Sequence, residues 1–576
     1  MIKSKSRVVL GAIILLFWIV TGCASGLSVN SGQPNPINSS DPTAAPAGIK
    51  QQVTAVRIPT ATQSPVQPPT PSRPANLSIW FSPALPTQLK SEVKLPDWIH
   101  PVDQKDQSDL QLDALSYPPG TTNNLPVSQW VYVLVAPFPT IVDGVSLADI
   151  KLAWQGKDTP EFGSAPLLMT ASTEAAFTAR WDQPAASHIQ IVDTAQLLDQ
   201  AWSKQPSWAL VPFENLEPRW KVLSVDGISP VEKTFAPEIY ALTMQFGLAT
   251  RPELQNLLSS PSLSFLPATN RDPSKLTVLV LTGTTALVRG TAEKMEEKGI
   301  TYPAQDIQNW LRDADIAHVS NEVPFDPNCP PAVPLRKEMR FCSSPAYYQL
   351  LKFTGIDIVE LTGNHLLDWG VDPLLYTLNL YRQNNMPFYG GGVNLDQARQ
   401  PLKIENNGNK LAFIGCNMYG PPPDWATKTQ PGAAPCGDLD WMEAAITQVK
   451  AEGFLPIVTF QHFELDGYKP QSAQRIDFQR IARAGALIVS GSQAHFPQAM
   501  TFIDGNFVHY GLGNLFFDQM TPGNRQEFLD RHIFYNGHYI STELLTAWLE
   551  DYAKPRPMTA AERASFLQVV FQNSEW

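Results

Sequence analysis

Apolar runs alternate with amphipathic stretches through residues 276–518 of the 576-residue chain. The runs predict buried strands, and the stretches between them predict helices. Alternation of this kind favours an α/β fold in which helices cover a sheet. The predicted strands are Thr277–Leu281, Ile316–Val319, Ile356–Leu361, Leu411–Ile414, Pro456–Phe460 and Ala486–Val489, and the predicted helices are Gln305–Ala314, Pro373–Gln383 and Ala473–Ala484.

Residues 76–265 show a second α/β pattern. Trp130–Pro139 predicts a buried strand, Val145–Trp154 opens a helix with Ser146 as its N-cap, and Trp208–Phe213 is a further apolar run. The pattern resembles that of type II periplasmic solute-binding proteins, which implies a solute-binding-like domain. No residue stands out as a ligand contact, so a structural α/β domain that binds nothing small is the alternative.

The first residues have the form of an export signal. Lys3, Lys5 and Arg7 precede an uncharged run from Val8 to Val20. As a helix this run spans roughly 20 Å, less than the ~30 Å of a bilayer core, so residues 1–23 predict a signal peptide. The run ends in Val-Thr-Gly-Cys23, which resembles the bacterial lipobox and implies lipidation of Cys23. We therefore expect anchoring at the outer face of a bacterial membrane.

Residues 24–75 predict a disordered tether, because they contain ten prolines, twelve Ser or Thr and only four charged residues.

The whole chain has 42 Lys and Arg and 54 Asp and Glu, which gives a net charge of −12. A nucleic-acid binder is expected to be basic, so we expect no nucleic-acid partner.

Polar side chains follow the predicted strands of residues 276–518 directly. They are Gly283-Thr284, Asn321-Glu322, Gly363-Asn364-His365, Gln461-His462 and the segment from Gly491 to His495. Because the carboxyl ends of parallel strands meet at one edge of a sheet, these side chains are expected to converge. Glu, Asn and three His form a ligand set suited to Mn²⁺, Fe²⁺ or Zn²⁺.

Six sequence blocks in this region resemble those of the bacterial CapA capsule-synthesis family, whose members are also described as poly-γ-glutamate biosynthesis proteins. The resemblance implies a calcineurin-like, metallophosphoesterase-type two-sheet sandwich flanked by helices over residues 274–545, followed by a C-terminal helical segment at 546–576. It also implies two bound metals. The blocks are Gly283–Arg289, Asn321–Pro324, Gly363–Gly370, His462–Glu464, Gly491–Gln498 and Tyr510–Asp518.

The resemblance also implies a role for each site residue. Glu322 would bridge the metals, Asn364 and His462 would bind one of them, and His495 would bind the other. His365 would be the catalytic proton donor and lie at the metals. Asp368 and Arg289 are expected to orient these groups without binding metal.

Two departures from the family pattern weaken the expected site. Thr284 stands where the family usually has Asp, and Ser492 and Gln493 stand where it commonly has an additional His. A hydroxyl is a poor substitute for a carboxylate that balances a cation. We therefore expect weak or single-metal occupancy by Mn, Fe or Zn, and whether the protein is an enzyme stays open.

Beyond Cys23 the chain has four cysteines, Cys329, Cys342, Cys416 and Cys436. An even number in an exported protein indicates disulfides, although three pairings and four free thiols are the alternatives. We predict Cys329–Cys342 and Cys416–Cys436, since each bond would close a short loop and contribute roughly 3 kcal/mol by the chain-entropy model.

The resemblance implies a function in the synthesis, export or retention of an anionic capsule polymer, such as poly-γ-glutamate or a capsular polysaccharide. Expected partners are that polymer or its synthesis and export machinery, and the membrane through the lipid anchor. One alternative is a metal-dependent phosphoesterase or polymer hydrolase. Another is a catalytically silent, polymer-binding scaffold with a degenerate metal site.

Overall fold

The computed structural model describes residues 76–116, 124–259, 265–334 and 338–576. The predicted signal peptide, the lipidation site Cys23 and the tether lie outside these residues. Within them, no helix is both long enough and apolar enough to cross a membrane.

The first part of the described chain is built on one mixed sheet with four helices. Its strands are β1 Leu77–Phe81, β2 Ile99–Val102, β3 Leu110–Ala114, β4 Leu125–Pro137, β5 Gly144–Val145, β6 Leu167–Met169, β7 Ile189–Ile191, β8 Trp208–Pro212, β9 Trp220–Val222, β10 Ser224–Val225 and β11 Thr243–Thr250. Its helices are α1 Thr87–Glu92, α2 Leu147–Trp154, α3 Ala171–Trp181 and α4 Thr194–Ser203.

Two long strands connect the halves of this first sheet. The strand order is β2-β1-β3-β11-β4-β8-β6-β7, with β9 paired to β4, while β5 and β10 pair separately. The antiparallel strands β4 and β11 lie in the middle, where residues 130–136 of β4 are fully buried. Ser146 caps α2 by accepting the backbone N–H of Asp149, as predicted.

The second part of the described chain contains the predicted site. Its strands are β12 Leu276–Thr282, β13 Thr284–Thr285, β14 Ile316–Asn321, β15 Ile358–Glu360, β16 Phe388–Tyr389, β17 Gly391–Gly392, β18 Leu402–Asn406, β19 Asn409–Asn417, β20 Gly432–Ala433, β21 Leu455–Gln461, β22 Ile488–Gly491, β23 Met500–Ile503, β24 Asn506–His509, β25 Asn514–Phe516, β26 Gln526–Tyr535, β27 His538–Glu550 and β28 Lys554–Pro557. Its helices are α5 Arg289–Lys298, α6 Gln308–Arg312, α7 Tyr348–Thr354, α8 Val371–Gln383, α9 Leu395–Ala398, α10 Asp440–Ala451, α11 Ser472–Arg483 and α12 Ala560–Asn573.

These strands form two facing sheets. The second sheet has the order β16-β15-β14-β12-β26-β27-β28, with β13 paired to β14 and β25 paired to β13, and the third has the order β18-β19-β21-β22-β24-β23. Leu279, Leu281 and Ile358 of the second sheet share one buried cluster with Phe413 and Ile457 of the third. Helices α5–α8 cover the outer face of the second sheet, and α10 and α11 cover that of the third. The result is a two-sheet sandwich between helical layers.

The predicted strands of this region are all present, with shifted ends. The predicted helix at 305–314 is shorter than expected, because a 3₁₀ turn at Tyr302–Ala304 precedes it. The segment 546–576 is not helical throughout, which corrects the prediction. The strand β27 crosses position 546, and β28 follows it before α12 begins after Thr559. Alternating apolar residues keep this segment in the second sheet.

Both predicted disulfides are present, Cys329–Cys342 and Cys416–Cys436.

The two parts of the described chain contact each other directly. Arg563 of α12 donates two hydrogen bonds to the Asp143 carboxylate, and Phe138 packs on Phe502.

Candidate functional site

The site lies where the carboxyl ends of the parallel strands of both sheets meet. Glu322 follows β14, Gly363 and Asn364 follow β15, and Gln461 ends β21. A Cβ atom at Gly363 would lie 2.6 Å from the backbone oxygen of Glu322, so only glycine lets these two chain segments approach so closely. The close approach brings Asn364 beside Glu322.

Gln461 connects the first two predicted ligands. Its Nε2 lies 3.3 Å from Oε1 of Glu322 and 3.2 Å from Oδ1 of Asn364. The Glu322 side chain is 1% exposed, and Gln461 supplies its side-chain hydrogen bond. Gln461 was among the strand-end residues expected to converge but not among the predicted ligands; its position at a strand end was the available signal.

The same network continues into the third sheet. The Ser492 hydroxyl lies 3.1 Å from Oε1 of Gln461 and 3.1 Å from Oε1 of Glu360, and its single hydrogen can be donated to one of them at a time. Thr284 donates its hydroxyl hydrogen to the backbone oxygen of Ser492. The buried carboxylate Glu360, which sequence reasoning also missed, accepts a further hydrogen bond from Thr362 at 2.5 Å.

His365 and Asp368 form a tight pair at the mouth of this network. His365 Nδ1 lies 2.7 Å from Asp368 Oδ2, and the same oxygen accepts the backbone N–H of Phe341 at 2.7 Å. Burial alone would lower the pKa of His365, but the hydrogen bond to Asp368 and the charge of Glu322 outweigh it, so the pKa is raised. The hydrogen bond to Asp368 holds the His365 imidazole in this orientation.

Arg289 and His365 both contact the ring of Phe341. Its guanidinium lies 5.1 Å from the centre of the Phe341 ring, which in turn lies 4.7 Å from the His365 ring. Asp518 fixes the guanidinium by accepting hydrogen bonds from Nε and Nη2 at 3.1 and 2.5 Å. Arg289 thus supports the site from outside it.

Asp424 is a further acidic group of the site that sequence reasoning missed. Its Oδ1 accepts the backbone N–H of Leu367 at 3.1 Å, and its Oδ2 is buried without a hydrogen-bond partner among the described residues. Burial and the nearby negative charge of Asp368 raise the pKa of Asp424 to about 7. Asp424 lies in a proline-rich loop, which carries no sequence signal of chemistry.

His495 has the environment of an oriented imidazole. Its Nδ1 lies 2.8 Å from Oδ1 of Asn514, an acceptor, so Nδ1 carries the hydrogen of this contact. Glu464 Oε1 lies 3.8 Å from Nε2. Within the described residues, the side-chain hydrogen bonds of His495 do not reach Glu322 or Asn364.

The contacts of His462 are with α11 and with aromatic rings, and its buried Nδ1 has no hydrogen-bond partner among the described residues. Its Nε2 lies 3.0 Å from Oδ2 of Asp477 on α11, and its ring packs against Tyr419 and Phe478. Successive residues at a strand end point to opposite faces. Gln461 consequently faces Glu322 and Asn364, while His462 faces the helical layer.

The residues present do not fit the pair of divalent metals that the resemblance implies. Among the described residues, no group of three or more His, Cys, Asp or Glu side chains is placed to hold a metal ion. Mn²⁺, Fe²⁺ and Zn²⁺ favour imidazole and carboxylate ligands, whereas the group that contacts both Glu322 and Asn364 is the Gln461 amide, and the next group in the network is the Ser492 hydroxyl.

Comparisons with known proteins agree with the motif blocks. Residues 278–519 match the family model of the bacterial capsule synthesis protein PGA_cap. The PGA biosynthesis protein CapA of Bacillus subtilis is 25% identical over 246 residues, which cover 42% of this chain and 64% of that protein, slightly less than two thirds of its length. The capsule biosynthesis protein CapA of Bacillus anthracis is 23% identical over 303 residues, covering 51% of this chain and 72% of that protein.

The solved structures that resemble this chain do so with low TM-scores. A 5'-nucleotidase precursor from Thermus thermophilus is 13% identical with a TM-score of 0.29, over 51% of this chain and 58% of that one. An ABC-type phosphate transport receptor from Vibrio cholerae is 10% identical with a TM-score of 0.27, over 32% of this chain and 95% of that one. Neither likeness carries an argument about function, and the solute-binding-like character of residues 76–265 stays a prediction.

Proposed function

We propose that this protein, whose residues 278–519 match the bacterial capsule synthesis family, serves in the synthesis, export or retention of an anionic extracellular polymer such as poly-γ-glutamate. The observation that carries the proposal is the extent of the family match. It begins in β12 and ends after Asp518, so it includes every residue of the candidate site.

The proposed location is the outer face of the membrane, with Cys23 lipidated and residues 24–75 serving as the tether. The lipobox-like segment that ends at Cys23 supports this location. Two disulfides in the folded part fit an oxidising compartment outside the cytoplasm. Partners would then be the polymer and its export machinery.

Two observations bear on whether the site is catalytic. The absence of a fitting metal-ligand set among the described residues disfavours the metal-dependent phosphoesterase and favours a polymer-binding scaffold. In contrast, the His365–Asp368 pair is arranged for proton transfer, because Asp368 holds Nδ1 and leaves Nε2 available to a bound molecule. We propose that the site serves as a polymer-binding scaffold, and that the His365–Asp368 pair forms part of its binding surface.

A gene deletion in the host bacterium tests the proposed function. We expect the deletion strain to lose most of its cell-bound anionic polymer, and the wild-type gene to restore it. Complementation with Cys23→Ala should leave polymer synthesis intact but release the protein from the membrane fraction. An unchanged amount of cell-bound polymer in the deletion strain would contradict the proposal.

Complementation with His365→Ala separates the scaffold from a hydrolase. A polymer hydrolase that uses His365 as its acid would yield longer polymer when the side chain is removed. A scaffold would instead retain less polymer on the cell, at unchanged chain length. Size-exclusion chromatography of the purified polymer from each strain distinguishes the two outcomes.

A further inference from the structure

We infer that this site works without a divalent metal, and that the Gln461 amide group takes the position of a cation between Glu322 and Asn364. The metal state of the site is independent of which polymer the protein serves.

The position of Gln461 provides the first argument. Its Nε2 carries two hydrogens and faces two acceptor oxygens, at 3.3 Å on Glu322 and 3.2 Å on Asn364. A cation between these oxygens would have to displace the NH₂ group. Turning the amide by 180° would place Oε1 against both oxygens, with no hydrogen between them. The orientation with Nε2 inward is the one that gives both oxygens a hydrogen-bond donor.

The departures from the family pattern provide the second argument, because they form one connected network. Thr284, in place of an Asp, donates to the backbone oxygen of Ser492. Ser492 is one of the two residues in place of a His, and its hydroxyl lies 3.1 Å from Gln461 Oε1. Thr284 and Ser492 therefore each add a hydrogen bond to a neighbour that is also part of the network, whereas Oε1 of Gln493 is buried without a partner among the described residues.

The charge balance provides the third argument. A metal centre places cationic charge among carboxylates. Replacement of Asp by Thr284 removes one negative charge from the edge of the sheet, and the Gln461 amide supplies hydrogen-bond donors without charge. The loss of one negative carboxylate therefore offsets the loss of a positive cation in the net charge of the site.

The network also links the two sheets. Glu322 and Asn364 follow strands of the second sheet, while Gln461 and Ser492 belong to the ends of strands in the third. A bridging metal would cross-link the sheets at this same edge. Here hydrogen bonds between side chains make the link.

The test compares the full chain with Gln461→Glu, a nearly isosteric change that replaces the donor group by a second carboxylate. Each protein is dialysed against chelator, then titrated with Mn²⁺ or Zn²⁺, while metal content is measured by mass spectrometry and Tm by calorimetry. Gln568→Glu is the matched control, since Gln568 is an exposed glutamine on α12.

We expect the wild-type chain to retain no stoichiometric metal at this site, and its Tm to stay unchanged on metal addition. Gln461→Glu should have a lower Tm in chelator, because its carboxylate faces Glu322, and should regain it when metal is added. Gln568→Glu should behave as wild type in both conditions.

Stoichiometric metal in the wild-type chain that is lost in Glu322→Gln would overturn the inference, and this measurement does not require Gln461→Glu to fold. Metal that persists in Glu322→Gln is bound at another place in the protein. It does not contradict the inference about the site at Gln461. A deletion strain without a polymer defect would remove the proposed function and leave the metal result unaffected.

Discussion

Asp368 holds two groups with one oxygen atom, since its Oδ2 lies 2.7 Å from His365 Nδ1 and 2.7 Å from the backbone nitrogen of Phe341. The imidazole and the loop that covers it are thereby fixed by the same carboxylate. A change at Asp368 should alter both the orientation of His365 and the anchoring of Phe341.

A double-mutant cycle should detect this pairing. His365→Ala, Asp368→Ala and the double variant are compared by urea unfolding. We expect a coupling energy of about 1.5–3 kcal/mol, the range for a hydrogen bond to a charged group. Additive effects of the two single changes would show that the contact contributes nothing to stability.

Thr284→Asp should destabilise the protein. Thr284 is fully buried and donates to the backbone oxygen of Ser492. A carboxylate at this position would face that carbonyl oxygen without a hydrogen to share, at a cost of about 2–4 kcal/mol in the free energy of unfolding. Chemical denaturation in chelator-containing buffer measures the effect.

Thr285→Asp is not a suitable control for this change, because Thr285 is also fully buried. Thr429→Asp, in an exposed turn, should change the free energy of unfolding little. Equal losses at positions 284 and 429 would contradict the role given to the buried hydrogen bond.

The two disulfides should differ in their accessibility to reductant in the folded protein. Cys416 and Cys436 are both fully buried, whereas Cys329 is partly exposed and Cys342 is 7% exposed. Mild reductant followed by alkylation and peptide mapping should label Cys329 and Cys342 first. Cys416 and Cys436 should be labelled only after the protein unfolds. Labelling of that pair before Cys329 and Cys342 would contradict the expected order.

Stability of the first part of the described chain should depend on the ionisation of Glu214. Burial raises the pKa of Glu214 to about 7, although Asn270 and Trp130 donate hydrogen bonds to its carboxylate. The folded-state pKa lies above the ordinary value of 4.5. The contribution of Glu214 to the free energy of unfolding is therefore fully present below pH 4.5 and is lost as the pH rises through 7. The total loss corresponds to about 3 kcal/mol.

Glu214→Gln removes the titrating group, so the free energy of unfolding should fall less steeply between pH 4.5 and 8 than in the wild type. Glu253→Gln, an exposed position in the same part of the chain, should keep the wild-type slope. Urea unfolding at several pH values compares the slopes. Parallel curves for the wild type and Glu214→Gln would contradict the expected titration.

Much of the fold could be predicted from local pattern. The apolar runs marked the strands of the sandwich, and Ser146 forms the N-cap of α2 that the sequence predicts. The pairing of the cysteines followed from their closeness in sequence. Residues 546–557 were less predictable, because a strand that joins an existing sheet depends on partners far away in the chain.

The sequence by itself determined which residues come to the edge of the sandwich, because a strand brings its last residues to the sheet edge wherever the sheet lies. Only the tertiary structure decided which face each of them presents. Gln461 and His462 are neighbours at the end of β21, and the strand's alternation sends one to Glu322 and the other to Asp477. The register of β21 in the third sheet makes that choice, since a shift by one residue would exchange the two side chains.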